Sequence, residues 1–242
     1  MGMMIEYLAG IDCIPPEIRI LRVFSRNKYE KLLKDRAIWF SNIDILRANC
    51  DELERTIPES FFSRMNVLQA DFYKRCNAAK DNIYKSFVSC WSKTESQKLW
   101  QTYDRDANGF AVVSTVGRLS DAFRSSCVFP CEVQYVDLDD PNLRLYLPWI
   151  IVKDDQLGIS TAMRLKEQYK AGEFIDDDEI RFICFERANI DNEKGINICV
   201  DLSDIIEYAI VNPYSSEADV ERSLSILQSN GIRIAPSKLS DL

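Results

Sequence analysis

Histidine is absent from this 242-residue chain. That absence removes the Ser-His-Asp and Cys-His catalytic schemes and the usual histidine-bearing metal sites. Any chemistry therefore falls to carboxylates, arginines, hydroxyls or thiols. No apolar run approaches the roughly 20 residues that cross a bilayer. No basic region precedes a hydrophobic one at the N-terminus, so no secretory signal is expected. Gly2 follows Met1, but Glu6 stands where the myristoylation pattern has Ser or Thr. The expectation is a cytoplasmic protein without a membrane partner. There is no P-loop and no G-x-G-x-x-G, which argues against the common phosphate-cradle folds. Internal repeats and low-complexity segments are also lacking.

Basic residues are outnumbered, 30 Lys and Arg against 38 Asp and Glu, for a net charge of −8. Non-specific nucleic-acid binding is disfavoured as a main role, because phosphate affinity needs a basic surface. Arg64, Lys74, Arg75 and Lys80 make a local basic set, at the spacings of a solvated helix face. The eight cysteines (Cys13, Cys50, Cys76, Cys90, Cys127, Cys131, Cys184 and Cys199) are irregularly spaced and contain no C-x-x-C pair. Cys184 and Cys199 lie in apolar runs and read as small buried hydrophobes. Cys127 and Cys131 have no second pair to complete a metal site.

The length suits one compact domain spanning 1–242, though it allows two. Residues 18–24 read as a first strand, Asn27 as the cap of a helix over 28–36, and Ala37–Ser41 as a second strand. A polar, acidic loop over Asn42–Pro58 precedes an amphipathic helix from Glu59 to about Lys80. Further on, Val116–Ser126 reads as a helix and Cys131–Asp137 as a strand. Ser160–Lys170 has helical composition. Glu179–Arg187 is the clearest strand, and a turn at Asn192–Gly195 predicts a hairpin with Ile196–Asp201. Ile205–Val211 follows as a strand. A helix over Ser216–Asn230 is capped by Ser216 and ended by Gly231, and Ile232–Ala235 is a last strand. Helices and strands cluster without steady βαβ alternation. The class is α+β, with a mixed or antiparallel central sheet flanked by helices.

The richest stretch is Phe87–Val113. An apolar run ends in Ser89, Cys90, Trp91 and Ser92, and Thr94 and Gln97 have the spacing of a capping box. Leu99, Trp100 and Tyr103 then form an apolar stripe, and Asn108-Gly109 turns the chain into a second apolar run. Two tryptophans, a tyrosine and several hydroxyls in one strand–helix–strand unit suit a wall for a planar-ring ligand. They suit even better an ordinary core in which the aromatics simply pack.

In order, the segments Ala37–Ser41, Phe87–Ser92, Leu99-Trp100-x-x-Tyr103 with Asn108-Gly109-Phe110, Glu132–Tyr135, Asp177-x-Glu179-x-Arg181 and Ile205–Pro213 resemble the bacterial family known as domain of unknown function 2971. The resemblance runs from about residue 18 to 235. It departs at the turn after the second strand, where the family's Asn-Asp-Pro and following acid are matched only loosely by Asn49, Asp51 and Glu54. A bacterial or phage setting is implied, of the kind where such families often sit beside mobile defence genes.

A second similarity is to the ADP-ribosyltransferase arrangement: an arginine on the first strand, a serine closing the second, and an acid-x-Glu on a later one. Here these are Arg22 (or Arg19), Ser41, and Asp177 with Glu179. The implied substrate is NAD, with no metal. Cleaving its nicotinamide–ribose bond builds oxocarbenium-like charge that Glu179 would stabilise. Arg22 suits the pyrophosphate, Trp91, Trp100 or Tyr103 would stack on the nicotinamide ring, and Arg181 would complete the cofactor-binding set. Other readings of the same residues are cross-strand ion pairs of Glu179 and Arg181 on an exposed face, a surface salt bridge for Arg22, and a strand end for Ser41. The alternative functions are a non-enzymatic protein-interaction module, or a metal-dependent nuclease or phosphoesterase built on Asp51, Glu54, Asp104 and Glu179.

A reducing compartment and irregular spacing predict that all eight cysteines carry free thiols. Thiol titration of the denatured protein without reductant should count eight, and stoichiometric zinc in the purified protein would contradict the expectation for Cys127 and Cys131.

Overall fold

The computed structural model describes residues 14–43, 84–126, 128–136, 149–153, 156–160, 163–165, 178–187 and 194–239. Its centre is an eight-stranded antiparallel sheet, left open rather than closed into a barrel. The fold is α+β, with five α-helices among the described residues. None of these helices is long and apolar enough to cross a membrane.

Strand β1 (Arg19–Phe24) pairs along its whole length with β4 (Phe110–Thr115), from Arg19 opposite Thr115 to Phe24 opposite Phe110. Both faces of this ladder are covered. Ile20, Phe24, Phe110 and Val112 enter one core, while Leu21, Val23, Ala111 and Val113 enter another. That two-sided burial explains the apolar runs without polar alternation. Helix α1 (Arg26–Asp35) then leads to β2 (Ala37–Asn42). Its cap is Ser25, not the expected Asn27, because the Ser25 carbonyl already accepts from the N–H groups of Lys28 and Tyr29. The expected helix over 59–80 lies outside the described residues.

Strand β3 (Tyr84–Ser92) is the hub. One edge pairs over its full length with β10 (Glu179–Arg187), and β10 in turn pairs with β5 (Val128–Glu132). Helix α2 (Gln97–Tyr103) follows β3 and packs on β1. The capping box placed its start two residues early: Ser96 is the cap and accepts from Leu99 N–H, while Thr94 N–H donates to Ser92 Oγ. Helix α3 (Val116–Ala122) is capped by Thr115 and runs into a short 3₁₀ turn at Arg124–Ser126. The expected single strand over 131–137 is broken at Val133 into β5 and β6 (Gln134–Val136).

A hairpin of β7 (Trp149–Lys153) and β8 (Gln156–Ser160) packs through β8 on β3. Strand β9 (Met163–Leu165) pairs in parallel with β6, so helical composition misled at 163–165. Strand β11 (Gly195–Cys199) pairs with β2, not with β10 as the Asn192–Gly195 turn suggested. Both edges of β10 are already taken, by β3 and β5, so no edge remained for a hairpin partner. Cys184 is buried as expected, but Cys199 is exposed, because it ends the edge strand on the side opposite the buried Ile198.

Helix α4 (Leu202–Ile205), capped by Asp201, occupies the start of the segment read as a strand; β12 begins at Tyr208 and runs to Val211 beside β4. Helix α5 (Glu217–Ser229) has Ser216 as cap and Gly231 at φ +67° beyond its end, as the spacing implies. The last expected strand is reduced to a single parallel bridge, Ala209 to Ile234.

The larger core is knitted by aromatic contacts. Tyr29 stacks on Phe110 with ring centroids 4.5 Å apart, and Phe123 meets Phe40 and Phe182 edge-on at 5.2 and 5.6 Å. The turn before β4 depends on Gly109, where an added Cβ would stand 2.0 Å from the Phe24 carbonyl oxygen. Gly109→Ala is therefore expected to cost at least about 2 kcal/mol, read as a lower urea midpoint with an unchanged m-value.

Candidate functional site

Nine residues of β3 must serve two strands along one edge. Phe87 and Val88 pair with β2, and Ser92 pairs with β1. Between those ladders lies Ser89-Cys90-Trp91, and beside it β1 and β2 diverge into a fork. Arg22 fills the fork. It leaves β1 on the side of Ile20 and Phe24, and its Nη1 donates to Ser89 Oγ at 2.6 Å and to the Trp39 main-chain carbonyl at 3.2 Å. Its guanidinium also lies 5.2 Å from the Phe24 ring centroid. Burial pushes the Arg22 pKa down, against the pull of Cys90 and Tyr103, residues associated with the other face of the sheet. Ser89 Oγ accepts a second bond from the Trp91 indole N–H at 3.0 Å.

Four half-exposed side chains belong to the elements beside the fork: Trp39, Ser41, Cys90 and Tyr103. The Trp39 indole N–H donates to Ser41 Oγ at 3.1 Å. Its ring crosses the neighbouring strand at Gly195, where a Cβ would come within 2.3 Å of Trp39 Cζ2. Lys31 Nζ stands 5.2 Å from the Trp39 ring centroid. Lys28 is held below the ordinary lysine range, first by partial burial and then by the Arg22 charge.

The second cluster lies across β3. Glu179 stands opposite Ser92 and Arg181 opposite Cys90, so all four share one face. Ser41, opposite Val88, shares it too. Arg181 Nε donates to Glu179 Oε1 at 2.8 Å, and Nη2 reaches Oε2 at 3.5 Å. The side chains are 0% and 3% exposed. The reading of this pair as ion pairs on an exposed face is thus corrected: it is buried, because β10 is an interior strand held between β3 and β5. The strand ends are tied by Lys93, 2.7 Å from Asp178 and also paired with Glu132. Burial works against the Lys93 ammonium, but those two hydrogen bonds outweigh it and raise its pKa.

The other expected residues separate. Trp91 is 1% exposed in the larger core, and Trp100 is 0% exposed in the smaller one, its indole N–H bonded to Glu95. Neither presents a ring face to solvent. Tyr103 is half-exposed against the smaller core, on the side of the sheet that carries Leu21. Arg19 is exposed and bonded to Glu207, which leaves Arg22 as the arginine facing the fork. Asp177, Asn49, Asp51 and Glu54 lie outside the described residues. Ser41 and Glu179 are four residues and two strand spacings apart, about 16 Å, a span for an extended ligand rather than one small ring.

Asp104 is committed elsewhere. It is 2% exposed and accepts from the N–H groups of Asn108 and Gly109 and from Asn212 Nδ2, the last two at 2.7 and 2.8 Å. Among the described residues, no group of three or more Cys, Asp or Glu is placed to hold a metal ion. An open groove of about 510 Å³ lined by Arg118, Asp121, Ala122, Ser203 and Asp204 contains none of the expected site residues. Sequence reasoning missed Trp39, Lys28 and Lys31. The available signal was a lysine pair three residues apart on a helix that leads directly to an aromatic strand.

Removing one member of a buried ion pair takes a charge-assisted bond from the other where water cannot replace it. Glu179→Met or Arg181→Met alone should lose about 3–5 kcal/mol of stability, and the double variant should lose less than the sum, as a double-mutant cycle in urea would read.

The sequence comparisons contribute no relative: no family model, no curated protein and no solved structure matches this chain.

Proposed function

We propose that this protein binds NAD or a related dinucleotide and cleaves its nicotinamide–ribose bond, as an ADP-ribosyltransferase or an NAD glycohydrolase. The observation that carries the reading is Arg22, a half-buried guanidinium at the fork of two strands, hydrogen-bonded to a hydroxyl and a carbonyl and, among the described residues, to no carboxylate. Such a group retains its charge for an anionic ligand, and its planar fork suits a pyrophosphate. Ser41 on the following strand and Glu179 on a later one share a face of the sheet, in the order the ADP-ribosyltransferase similarity implies. The resemblance to the domain of unknown function 2971 family adds a bacterial setting to the proposal.

In this reaction the bond from ribose C1′ to the nicotinamide nitrogen breaks, and its electron pair leaves with nicotinamide. The ribose gains oxocarbenium character, and an acceptor hydroxyl or water then forms the new C1′–O bond and releases its proton. Glu179 stabilises the developing charge, and Arg181 orients the Glu179 carboxylate. Tyr103, half-exposed, is better disposed to face a ring than the enclosed Trp91 and Trp100.

The test is incubation of wild type and Glu179→Gln with NAD, with nicotinamide release followed by chromatography. Glu179→Gln should lower turnover at least about 100-fold with little change in affinity, since its contact strengthens only in the transition state. Arg22→Ala should instead raise KM, measured beside its urea stability because the same guanidinium ties β1 to β2. No release and no thermal shift with wild type would refute the proposal, in favour of an interaction module. Release that Glu179→Gln leaves unchanged would keep the substrate and discard the residue.

A further inference from the structure

Most bases described with a contact in this acidic chain are matched by a carboxylate. Arg19 and Arg233 meet Glu207, Arg26 meets Glu30, Arg36 meets Asp201, Lys93 meets Asp178, and Arg181 meets Glu179. Among the described residues Arg118 bonds main-chain carbonyls and makes no ion pair, and neither do Arg22, Lys28 and Lys31. The last three are also gathered in space. Lys28 and Lys31 are three residues apart on α1 and therefore neighbours on one helix face. Lys31 reaches the Trp39 ring, and the carbonyl of the same Trp39 receives Arg22. Lys31 thus lies over the Trp39 ring while Arg22 holds the main chain of the same residue, and Lys28 is near enough to Arg22 to feel its charge.

Two features suit this notch to a ligand. The charges of Arg22 and Lys28 repel one another, and among the described residues neither has a carboxylate partner, a penalty that a bound anion would relieve. Trp39 is half-exposed yet firmly held, by its hydrogen bond to Ser41 and by its passage across Gly195. What lies over the ring is the flexible ammonium of an exposed lysine, which a planar base can displace and replace by stacking. A free phosphate would use the cations but not the ring. A ring joined to a phosphate uses both.

From this juxtaposition we infer that the notch binds a nucleoside 5′-phosphate, its base stacked on Trp39 and its phosphate held by Arg22 and Lys28, with Lys31 moving from the ring to the phosphate. As an assignment of the adenosine half of NAD, the inference rests on the reading proposed above, although the notch itself would take the mononucleotide alone.

Calorimetric titration of the full chain with AMP, adenosine and inorganic pyrophosphate separates ring from charge. AMP should bind more tightly than adenosine and weaken with added salt. The double variant Lys28→Ala/Lys31→Ala changes two exposed side chains and should weaken AMP and pyrophosphate each by about tenfold or more. Trp39→Leu should weaken AMP about tenfold and leave pyrophosphate unchanged, while Trp39→Phe should restore most of the AMP affinity. AMP binding that is absent, or indifferent to either the lysine or the Trp39→Leu change, overturns the inference. Nicotinamide release by a wild type that binds no AMP would overturn the notch and leave the enzyme reading standing. Lysine- and Trp39-dependent AMP binding without nicotinamide release would support the notch and remove the enzyme reading.

Discussion

The shared edge of β3 is the constraint on which the rest of this structure depends. Backbone N–H and C=O groups in a sheet interior need partners, yet β1 and β2 both run antiparallel to β3 and meet the same edge. Neither can pair along its full length, so the sheet forks and the Trp39 carbonyl faces the gap. A guanidinium is well suited to that gap. It carries several donors in one plane, bonds a main-chain carbonyl and a hydroxyl at once, and rests its flat face near Phe24. An apolar side chain of similar length would take this donor from the Trp39 carbonyl and leave Ser89 Oγ with the Trp91 indole N–H alone.

The fork also sets the electrostatic character of the two clusters beside it. Arg181 and Glu179 neutralise one another in a position with almost no solvent exposure, and such a pair is weak evidence for stability because desolvation offsets much of the attraction. Its better-supported consequence is orientation: the carboxylate of Glu179 is held by its neighbour two residues along the strand. Among the described residues Arg22 has no such counter-charge, and Lys28 adds to its potential. An acidic protein thereby presents a compact cationic notch, bounded by an aromatic ring, next to a face that bears a fixed carboxylate.

Sheet position explains which elements were legible in the sequence. Residues 18–24, 37–41 and 179–187 are dense in β-branched and aromatic side chains, and they form strands at or within one residue of those bounds. The Ser216 cap and Gly231 beyond α5 were equally readable, because both requirements are local. The hairpin expected from Asn192–Gly195 failed for a non-local reason, since β10 has β3 and β5 on its two edges. Composition at 163–165 favoured helix, but pairing with β6 decided strand. The aromatic block behaved similarly. Its helical and strand spacing was correct, yet which rings would be enclosed depended on the cores that closed over Trp91 and Trp100.

By itself the sequence determined the chemistry that is possible: without histidine, a site must be built from carboxylates, guanidinium groups, hydroxyls or thiols. It also determined the α+β class, because strand propensity and helix caps act over a few residues. Only the tertiary structure decided that Arg22 rather than Arg19 faces the fork, that Glu179 is buried against Arg181, and that Lys31 meets Trp39. The physical reason is that pairing partners and exposure are properties of the assembled sheet. A side chain's charge is fixed by its covalent structure, but whether that charge is matched depends on which strand or helix packs beside it.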